Sequence, residues 1–371
     1  MDALKDKGVS MATDQAAAQT AIDEAKLEAF MEKAIGNFSG TFTTVQCVLG
    51  DRLGLFKDLA ENGPATPETL ASRAGINERY AEEWLRAMAA AGYLEHDRTS
   101  GRFSLPPEHA LVLAQEGSPM FFGGGFQMVP NLVSILDHLT EAFRKGGGVK
   151  QDDYPDDFWT GLQRFTNGWF ENFLLQQWIP SMPDVQNKLE QGARYADVGC
   201  GAGLAILKLA EAFPKSQFVG YDISKPQVKL AKSNAKEAGL DNVSFEQKDV
   251  VKGLPERYDV ISTYDVVHDA ADPLGLLKAI RQGLADDGIY ILLDINCADD
   301  PAENEGPLAA MFYGFSITYC MTTSLANDGA GLGTCGLPEA KARELCEKAG
   351  FSSLRRIEME NPFNNLYEVR A

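Results

Sequence analysis

The chain lacks the long apolar run that a membrane-spanning helix requires. Its 371 residues contain no uninterrupted apolar stretch of about 18 side chains. The first 25 residues mix acidic and basic side chains without an apolar segment, so we expect no secretory signal there. Hydrophobic residues make up 44% of the chain and charged residues 23%, a composition typical of a folded globular protein. These features together predict a cytoplasmic protein.

Positive charge is scarce. The chain has 34 lysines and arginines against 53 acidic residues, which leaves a formal net charge of -19. A field of that sign repels phosphate backbones and anionic lipid surfaces. We therefore expect neither nucleic acid nor a membrane as a partner.

Metal-binding patterns of cysteine are missing as well. The six cysteines form no CxxC pair and no Cys/His cluster with the spacing of a zinc site. This usage is typical of reduced thiols in a cytosolic protein. The sequence predicts no structural metal.

What is present divides the chain into a tail, a helical half and an alternating half. Residues 1–20 are polar and Ala-rich without apolar periodicity, which predicts a flexible tail. Residues 21–180 are predicted to be mainly helical. The glycines at 146–148 precede a run of acids, which indicates a flexible polar connection.

Within the helical half, one pattern predicts a winged helix-turn-helix. Thr66 is predicted to cap the N-terminus of a short helix that begins at Pro67, and Gly75 is predicted to end this helix. The next helix carries an apolar stripe that begins at Tyr80, and two short strands follow it. That helix has three acids and two bases, so we favour packing and dimerisation over DNA recognition.

In residues 181–371, seven short β-rich runs alternate with helical ones. The first covers 195–198 and the last covers 366–370. Such alternation predicts a parallel sheet with helices on both faces. The predicted fold class is therefore α/β: a Rossmann-like seven-stranded domain preceded by a mainly helical winged-helix domain.

A glycine turn follows the first of these runs. Gly199, Gly201 and Gly203 let the backbone pass close to a ligand where any β-carbon would collide. A dinucleotide fingerprint needs another glycine where this chain has Leu204, so the NAD pattern fails. The carboxylate of Asp197 would repel a pyrophosphate and attract a cation.

Two further acids complete the predicted cofactor site. Asp222 ends the second run, where a carboxylate can accept both ribose hydroxyls. Asp249 ends the third run and could accept the adenine amine, while Val250 donates its backbone N–H. These features predict S-adenosylmethionine as the cofactor. The residues predicted to contact it are Asp197, Gly199, Cys200, Gly201, Gly203, Asp222, Ile223, Asp249, Val250 and Tyr264.

The segment from 197 to 294 resembles a class I S-adenosylmethionine-dependent methyltransferase. Gly199, Gly201, Asp222 and Asp249 match the cofactor-binding positions of that family. The winged-helix domain ahead of it is similar to that of the plant-type small-molecule O-methyltransferases, which dimerise through this domain. The resemblance therefore implies a methyltransferase that forms a homodimer.

The C-terminal part resembles a set of poorly characterised bacterial winged-helix methyltransferases. The similarity lies in the Tyr319-Cys-Met-Thr-Thr motif, the glycine-rich stretch 329–334 and the Ala349-Gly-Phe motif. That set usually has a tryptophan where this chain has Cys335 or its neighbour. A loop near the acceptor site is therefore expected to differ.

The motif around His268 is similar to the Leu-His-Asp-Trp motif of the plant-type enzymes, whose histidine is the general base. The resemblance implies that His268 and the adjacent Asp269 are catalytic. An imidazole with a pKa of about 6.5 suits the deprotonation of a hydroxyl group. The alternative interpretation is that His268 caps a helix or packs under the cofactor. Asp269, Asp299 and Glu339 are the acids considered for orienting His268, and the sequence does not rank them.

Metal-assisted chemistry is a further alternative. Asp265, Asp294 and Asn296 end the fourth and fifth runs, and such oxygen donors could hold Mg²⁺. Polar side chains are common at strand ends for other reasons, so the metal-free route is favoured.

We expect methyl transfer to the hydroxyl group of a small molecule. Two alternatives stay open: S-methylation of a small thiol or thioether by positioning alone, and an S-adenosylmethionine-sensing winged-helix regulator that binds DNA. Apolar pockets with a few polar tips are the usual form of small-molecule sites. The predicted acceptor-contacting residues are Phe126, Trp169, Phe170, Met311, Phe315 and Tyr319.

Overall fold

The computed structural model describes residues 22–359 and 361–371. The tail predicted over residues 1–20 lies outside them. The α-helices are α1 Glu24–Arg52, α2 Leu55–Asn62, α3 Pro67–Ala74, α4 Glu78–Ala90, α5 Pro107–Leu113, α6 Gly123–Ser134, α7 Leu136–Lys145, α8 Asp156–Trp169, α9 Pro183–Gln191, α10 Leu204–Ala212, α11 Lys225–Glu237, α12 Pro273–Gly283, α13 Gly306–Phe315, α14 Met321–Leu325 and α15 Glu339–Ala349. The strands are β1 Glu95–Asp97, β2 Arg102–Ser104, β3 Arg194–Val198, β4 Gln217–Asp222, β5 Val243–Gln247, β6 Tyr258–Tyr264, β7 Leu284–Ile295, β8 Ser353–Ile357 and β9 Asn364–Arg370. Segments Phe170–Trp178 and Ser316–Cys320 are π-helical.

The predicted winged helix-turn-helix is confirmed. The hydroxyl of Thr66 accepts a hydrogen bond from the N–H of Thr69 at 3.2 Å and so caps α3, which begins at Pro67 and ends before Gly75. Strands β1 and β2 pair antiparallel and form the wing. The capping threonine, the proline and the glycine that the sequence shows therefore mark the ends of α3.

The apolar stripe of α4 differs from the prediction at its first residue. Ala81, Trp84, Leu85 and Met88 are buried, but Tyr80 is 78% exposed. The buried four follow the i, i+3, i+4, i+7 spacing of one helix face, and Tyr80 lies beside that face in the first turn. The indole N–H of Trp84 donates to a backbone oxygen of α1, which joins the two helices.

The C-terminal half contains a seven-stranded sheet with the order β5-β4-β3-β6-β7-β9-β8. The first five strands in this order pair in parallel, as the alternation predicts. Strand β9 runs antiparallel to both β7 and β8, so the expectation of a wholly parallel sheet is wrong at this edge. The link from β8 to β9 is too short for a parallel crossover, which needs a dozen residues or more.

Helices cover both faces of this sheet. On one face, α9, α10 and α11 and the π-helical segment Phe170–Trp178 bury a core with Trp178, Ile206 and Leu209 at its centre. On the other face, α12 and α15 pack a second core that includes Leu277, Ile280 and Leu345. The predicted Rossmann-like architecture is confirmed.

The connection after α7 is open at Gly146 and Gly147, where an added β-carbon would meet nothing within 4 Å, but it is closely packed at Gly148. A β-carbon added to Gly148 would lie 1.8 Å from the backbone oxygen of Thr322, so this segment is pressed against α14. The N–H of Val149 donates to the hydroxyl of Thr322 at 3.0 Å, and the hydroxyl of Tyr154 donates to the backbone oxygen of Thr318 at 2.5 Å. The absence of a side chain at Gly148 therefore lets this segment pack closely against α14.

Helix α1 exposes an apolar surface along much of its length. Its residues 43%–68% exposed are Leu27, Phe30, Met31, Ile35, Phe38, Phe42, Val45 and Leu49. A contiguous apolar surface of this kind is typical of an interface. Of the helices described, none is both long and apolar enough to cross a lipid bilayer.

Candidate active site

The turn after β3 is shaped by its glycines. Gly199 and Gly201 have φ of +74° and +52°, in the left-handed region that favours glycine. A β-carbon on Gly199 would lie 2.5 Å from Val266, whereas one on Gly201 would meet nothing within 4 Å. The backbone at Gly201 therefore borders open space, where a ligand can approach it closely.

Asp222, at the end of β4, holds this turn in place. One carboxylate oxygen accepts the N–H of Gly201 at 2.9 Å, and the other accepts the N–H of Ser224 at 2.7 Å. Burial raises the pKa of Asp222, and these backbone hydrogen bonds oppose that shift. Each carboxylate oxygen can accept a further bond, so ribose hydroxyls remain compatible with this geometry.

Asp197 is a buried carboxylate with little local support. The hydroxyl of Ser262 donates to it at 2.6 Å. Burial raises the pKa of Asp197 to about 7, although that hydrogen bond lowers it. A cation beside Asp197 would stabilise its charged form. The turn and this carboxylate therefore fit a positively charged ligand that passes close to the backbone, which is the chemistry of S-adenosylmethionine.

The other predicted cofactor contacts lie around the same edge of the sheet. The carboxylate of Asp249 accepts the N–H of Val251 at 3.2 Å and pairs with Lys252 at 3.1 Å, so it also caps the turn that contains the buried Val250. Ile223 is 59% exposed at the rim. The hydroxyl of Tyr264 lies 3.1 Å from that of Tyr195.

Two further predicted contacts belong to the turn itself. The thiol of Cys200 is buried, and burial raises its pKa far above the ordinary value. Gly203 has a φ of +82° and precedes α10, and a β-carbon there would lie 2.8 Å from Phe245. Both residues therefore shape the wall of the predicted cofactor site.

His268 and Asp294 form a buried pair at the carboxyl ends of β6 and β7. Nδ1 of His268 lies 2.7 Å from Oδ1 of Asp294, and the two residues are 3% and 1% exposed. Burial alone would lower the pKa of His268, but the carboxylate of Asp294 and the thiol of Cys320 raise it well above the ordinary value. Oδ2 of Asp294 is buried without a partner among the described residues.

None of the three acids considered from the sequence is the hydrogen-bond partner of His268. Asp299 accepts the N–H of Ala340 at 2.7 Å, and Glu339 forms an ion pair with Arg343 at 2.6 Å. Asp269 adjoins His268 in the chain, but the hydrogen bond to Nδ1 comes from Asp294. The signal for Asp294 was present in the sequence: neighbouring parallel strands end at the same edge of the sheet.

Other acids surround this pair. Burial raises the pKa of Asp265 to about 8 and that of Asp269 to about 6, and the charge of Asp294 adds to both shifts. Asp265 has a φ of +56°, unusual for a residue other than glycine, and accepts a hydrogen bond from Asn364 at 2.6 Å. This strained position lies directly between β6 and the His268 segment.

Of the trio considered for Mg²⁺, Asn296 is tied to the main chain that precedes β9. The backbone N–H and side chain of Asn296 bond to the oxygens of Phe363 and Pro362. Ligand atoms of Asp265, His268 and Asp294 do lie within 4.8 Å of one another, and so do those of His268, Asp269 and Cys320. Nδ1 of His268 is already bonded to Asp294, however. We therefore interpret the group of Asp265, His268 and Asp294 as an imidazole that is oriented by a carboxylate.

Tyr319, one of the residues predicted to contact the acceptor, lies in an aromatic cluster. The π-helical segment after α13 carries Tyr319, whose ring packs at 4.9–5.9 Å against Tyr154, Phe158 and Trp159. Such segments are frequent at functional sites because the extra residue redirects side chains. The ring of Tyr319 thus belongs to an aromatic cluster beside the next residue, Cys320.

The other residues predicted to contact the acceptor lie in different parts of the fold. Trp169 packs at 5.2 Å against Phe363, and Phe170 packs at 5.4 Å against Tyr264. Phe315 is half-buried against the Tyr319 cluster. Phe126 instead packs against the core of the winged-helix domain. Met311 is half-buried on α13.

Comparisons with known families agree with this architecture. Residues 189–324 match the model of a methyltransferase domain, and residues 41–115 match that of an Rv2258c-like winged HTH domain. The chain is therefore a methyltransferase with an N-terminal winged-helix domain, as its motifs predict. The match to a methyltransferase domain supports S-adenosylmethionine as the cofactor, as the sequence predicts.

One relative spans most of the chain, and another matches about a third of it. The 3-hydroxy-5-methyl-1-naphthoate 3-O-methyltransferase of Streptomyces sahachiroi is 26% identical over 346 residues, covering 88% of this chain and 91% of the relative. A ubiquinone biosynthesis O-methyltransferase of Leptothrix cholodnii is 32% identical over 128 residues, covering 34% of this chain and 52% of the relative.

Two solved structures show the same fold. PigF with SAH has a TM-score of 0.70 at 20% identity, and the match covers 92% of this chain and 99% of that one. Human N-acetylserotonin methyltransferase in complex with SAM has a TM-score of 0.67 at 19% identity, with 95% and 99% covered.

Proposed function

We propose that this methyltransferase methylates a hydroxyl group of a small molecule and that His268 is the general base. The observation that carries the proposal is the buried hydrogen bond of 2.7 Å between His268 and Asp294. A hydroxyl oxygen is a weak nucleophile until it loses its proton, and a held imidazole can take that proton. The O-methyltransferase name of the Streptomyces sahachiroi relative supports an oxygen acceptor.

The pair has a defined role in this reaction. Asp294 accepts the Nδ1–H of His268 and so fixes the neutral tautomer whose lone pair is on Nε2. Nε2 takes the hydroxyl proton as the oxygen attacks. When bound, S-adenosylmethionine supplies a methyl group activated by its sulfonium charge. The Tyr319 cluster excludes water and aligns the acceptor, and such alignment is a large part of catalysis.

The protonation state of His268 controls this chemistry. Burial lowers the pKa of His268, but the carboxylate of Asp294 and the thiol of Cys320 raise it, and the net upward shift favours the protonated imidazole in the free protein. A protonated imidazole cannot act as a base. A positively charged group in the neighbouring cofactor site disfavours that proton, because like charges repel. Proton loss from His268 is therefore coupled to the charge in that site.

The same protonation state favours a second candidate function. A thiol or thioether acceptor is a better nucleophile than a hydroxyl and needs little or no base. Methylation of sulfur could therefore proceed with His268 protonated, by alignment alone. The two candidates differ in their requirement for His268. O-methylation needs its neutral imidazole as a base, whereas S-methylation does not.

Replacement of His268 separates the two candidates. We expect His268→Ala and His268→Gln to reduce O-methylation of aromatic hydroxyl compounds by about 10²- to 10⁴-fold at pH 7. Binding of S-adenosylhomocysteine, measured by calorimetry, should persist. If turnover of the hydroxyl compounds stays near that of the wild type, the general-base proposal is wrong. Activity confined to aromatic thiols in wild type and variants would establish the sulfur candidate instead.

We propose that the winged helix packs and dimerises and does not bind DNA. Both bases of α4 are engaged in ion pairs: Arg79 with Glu82 and Glu83, and Arg86 with Glu82 at 2.6 Å. The exposed apolar surface of α1 supports a homodimer, because a second copy would bury it. The predicted cytoplasmic location stays a prediction.

A further inference from the structure

Three side chains able to bind a metal ion converge beside the proposed base. Ligand atoms of His268, Asp269 and Cys320 all lie within 4.8 Å of one another. His268 and Cys320 are buried, whereas Asp269 is partly exposed and gives access from solvent. Asp269 adjoins His268 in the chain, but Cys320 ends the π-helical segment that follows α13. The fold therefore brings together an imidazole, a carboxylate and a thiol, and the proposed methyl transfer gives the thiol no step.

Hydrogen bonds hold the two segments that carry these side chains against each other. The hydroxyl of Ser324, on α14, donates to the backbone oxygen of Ala270 at 3.1 Å. The N–H of Ala330 donates to the backbone oxygen of Ala271 at 2.8 Å. Helix α14 begins directly after Cys320, so these bonds limit how far the thiol can move from the His268 segment. The three donors are thus positioned by the fold itself.

The imidazole of His268 has one nitrogen free to bind an ion. Its Nδ1 is bonded to Oδ1 of Asp294 at 2.7 Å, which leaves the lone pair of Nε2. Histidines that bind metals in proteins are almost always held in this way through their other nitrogen, which fixes the ring and makes it a stronger ligand. Asp294 therefore prepares His268 for an ion as well as for a proton.

The chemistry of the three donors selects the ion. Mg²⁺ and Ca²⁺ prefer sites built from oxygen atoms, whereas nitrogen and sulfur donors suit Zn²⁺. The thiolate of Cys320 and the carboxylate of Asp269 together carry two negative charges. These charges balance the two positive charges of the ion, which a buried site requires.

We propose that His268, Asp269 and Cys320 form a binding site for Zn²⁺. Nε2 of His268 donates its lone pair to the ion, and the thiol of Cys320 releases its proton to water as the bond between zinc and sulfur forms. Three protein ligands leave the fourth position of the ion to water. The consequence for activity rests on the proposed function: a base whose lone pair is bound to zinc cannot accept a hydroxyl proton, so zinc inhibits the enzyme.

Binding is tested on the intact, reduced protein without any methyl transfer. The wild type is freed of metal with a chelator and titrated with Co²⁺, which replaces zinc and absorbs light. We expect one equivalent of Co²⁺ to produce the absorption band of a cobalt–thiolate bond, Zn²⁺ to remove this band, and Mg²⁺ to produce none. X-ray absorption of the zinc-loaded wild type should show one sulfur ligand at about 2.3 Å together with nitrogen and oxygen ligands.

Variants assign the ion to this site. Cys320→Ser should abolish the cobalt–thiolate band. Asp294→Asn should weaken Zn²⁺ binding by about 10- to 100-fold, because the ring of His268 is no longer held. The matched control is Cys335→Ser, which removes a partly exposed thiol from another loop and should keep the band. Circular dichroism confirms that each variant is folded, and the X-ray absorption of the wild type needs no variant.

Two results would overturn the site: no uptake of Co²⁺ or Zn²⁺ by the wild type, or a band that persists in Cys320→Ser and disappears in Cys335→Ser. Saturating Zn²⁺ should lower O-methylation by about 10²- to 10⁴-fold, as loss of a general base does, and a chelator should restore it. Zinc that binds here without lowering turnover would establish the site and count against His268 as the base. The failure of one proposal is thus distinguishable from the failure of the other.

Discussion

The carboxylate of Asp294 bonds to His268 and to its own strand through a single oxygen. Oδ1 accepts the Nδ1–H of His268 at 2.7 Å and the backbone N–H of Ile295 at 2.8 Å. The backbone bond fixes the carboxylate, and the fixed carboxylate orients the imidazole. One acid therefore sets both the direction and the proton affinity of the proposed base.

Asp294→Asn tests this relationship. Loss of the carboxylate charge lowers the pKa of His268, because that charge is what raises it. Activity of a base requires the neutral imidazole, so the acidic limb of the pH–kcat profile should move to lower pH. The plateau should fall by about 10²- to 10⁴-fold as the tautomer is no longer fixed. The matched control is Asp299→Asn, because Asp299 bonds to Ala340 and should leave the profile unchanged. An acidic limb that does not move would exclude Asp294 as the determinant.

Asp197→Asn should separate stability from cofactor binding. The pKa of Asp197 is about 7 when folded, against about 3.9 in an unfolded chain. The folded protein therefore retains a proton that the unfolded chain has lost, and stability from this group falls as pH rises from about 4 to about 7. Above that range, the variant should be more stable on the order of a few kcal/mol.

Denaturant unfolding on both sides of pH 7 measures the stability effect, and calorimetry measures binding. The variant should gain stability mainly at the higher pH and bind S-adenosylmethionine more weakly than the wild type. Equal affinity for the cofactor would show that Asp197 does not face its positive charge. An unchanged pH dependence of stability would show that burial does not raise the pKa of this carboxylate.

Gly201→Ala should impair binding far more than stability. A β-carbon there meets no protein atom, so the cost to folding is the left-handed backbone, about 1 kcal/mol. Gly239 offers a matched control, because it has a φ of +66° and open space as well. Both variants should unfold with similar small losses, but only Gly201→Ala should lose affinity for S-adenosylhomocysteine. Similar affinities in the two variants would show that no ligand occupies the space beside Gly201.

Phe38→Glu tests the proposed dimer. Phe38 is 68% exposed on α1, and its ring packs against Phe42 at 5.1 Å. A charge within a buried apolar interface is costly to desolvate, so the variant should shift towards the monomer. Light scattering coupled to size exclusion measures the mass. Phe143→Glu, which changes a 73% exposed side chain on α7, should leave it unchanged. A monomeric wild type would refute the proposal.

The parts of the fold that local sequence determines were predictable. Strands β4 and β6 form within the β-rich runs of the sequence, because buried parallel strands appear as continuous apolar runs between turn signals. The glycine turn and Asp222 follow from the same strand–turn–helix pattern. The roles of the glycine turn and of Asp222 depend on residues that are close in sequence or that lie at the ends of adjacent strands.

Other features depend on contacts between distant segments. The reversed direction of β9 follows from its pairing with β7 and β8, which no local pattern encodes. The partner of His268 could have been found from strand ends, because Asp294 lies near the end of the strand that pairs in parallel with β6. The π-helical segment that carries Tyr319 and Cys320 could not be predicted from the sequence, because a wider helical turn requires no characteristic composition.

The stretch around Gly148 has a consequence for how the two halves could be separated. Val149 and Tyr154 bond to the helical layer over the sheet, and Arg164 of α8 forms an ion pair with Asp51 of α1 at 2.8 Å. The region between the winged helix and the sheet therefore packs against both halves of the protein. A truncation at the glycines would keep Val149 and Tyr154 but would remove Met128, Leu132 and Leu139, and would expose to water the aromatic rings that pack in the same cluster.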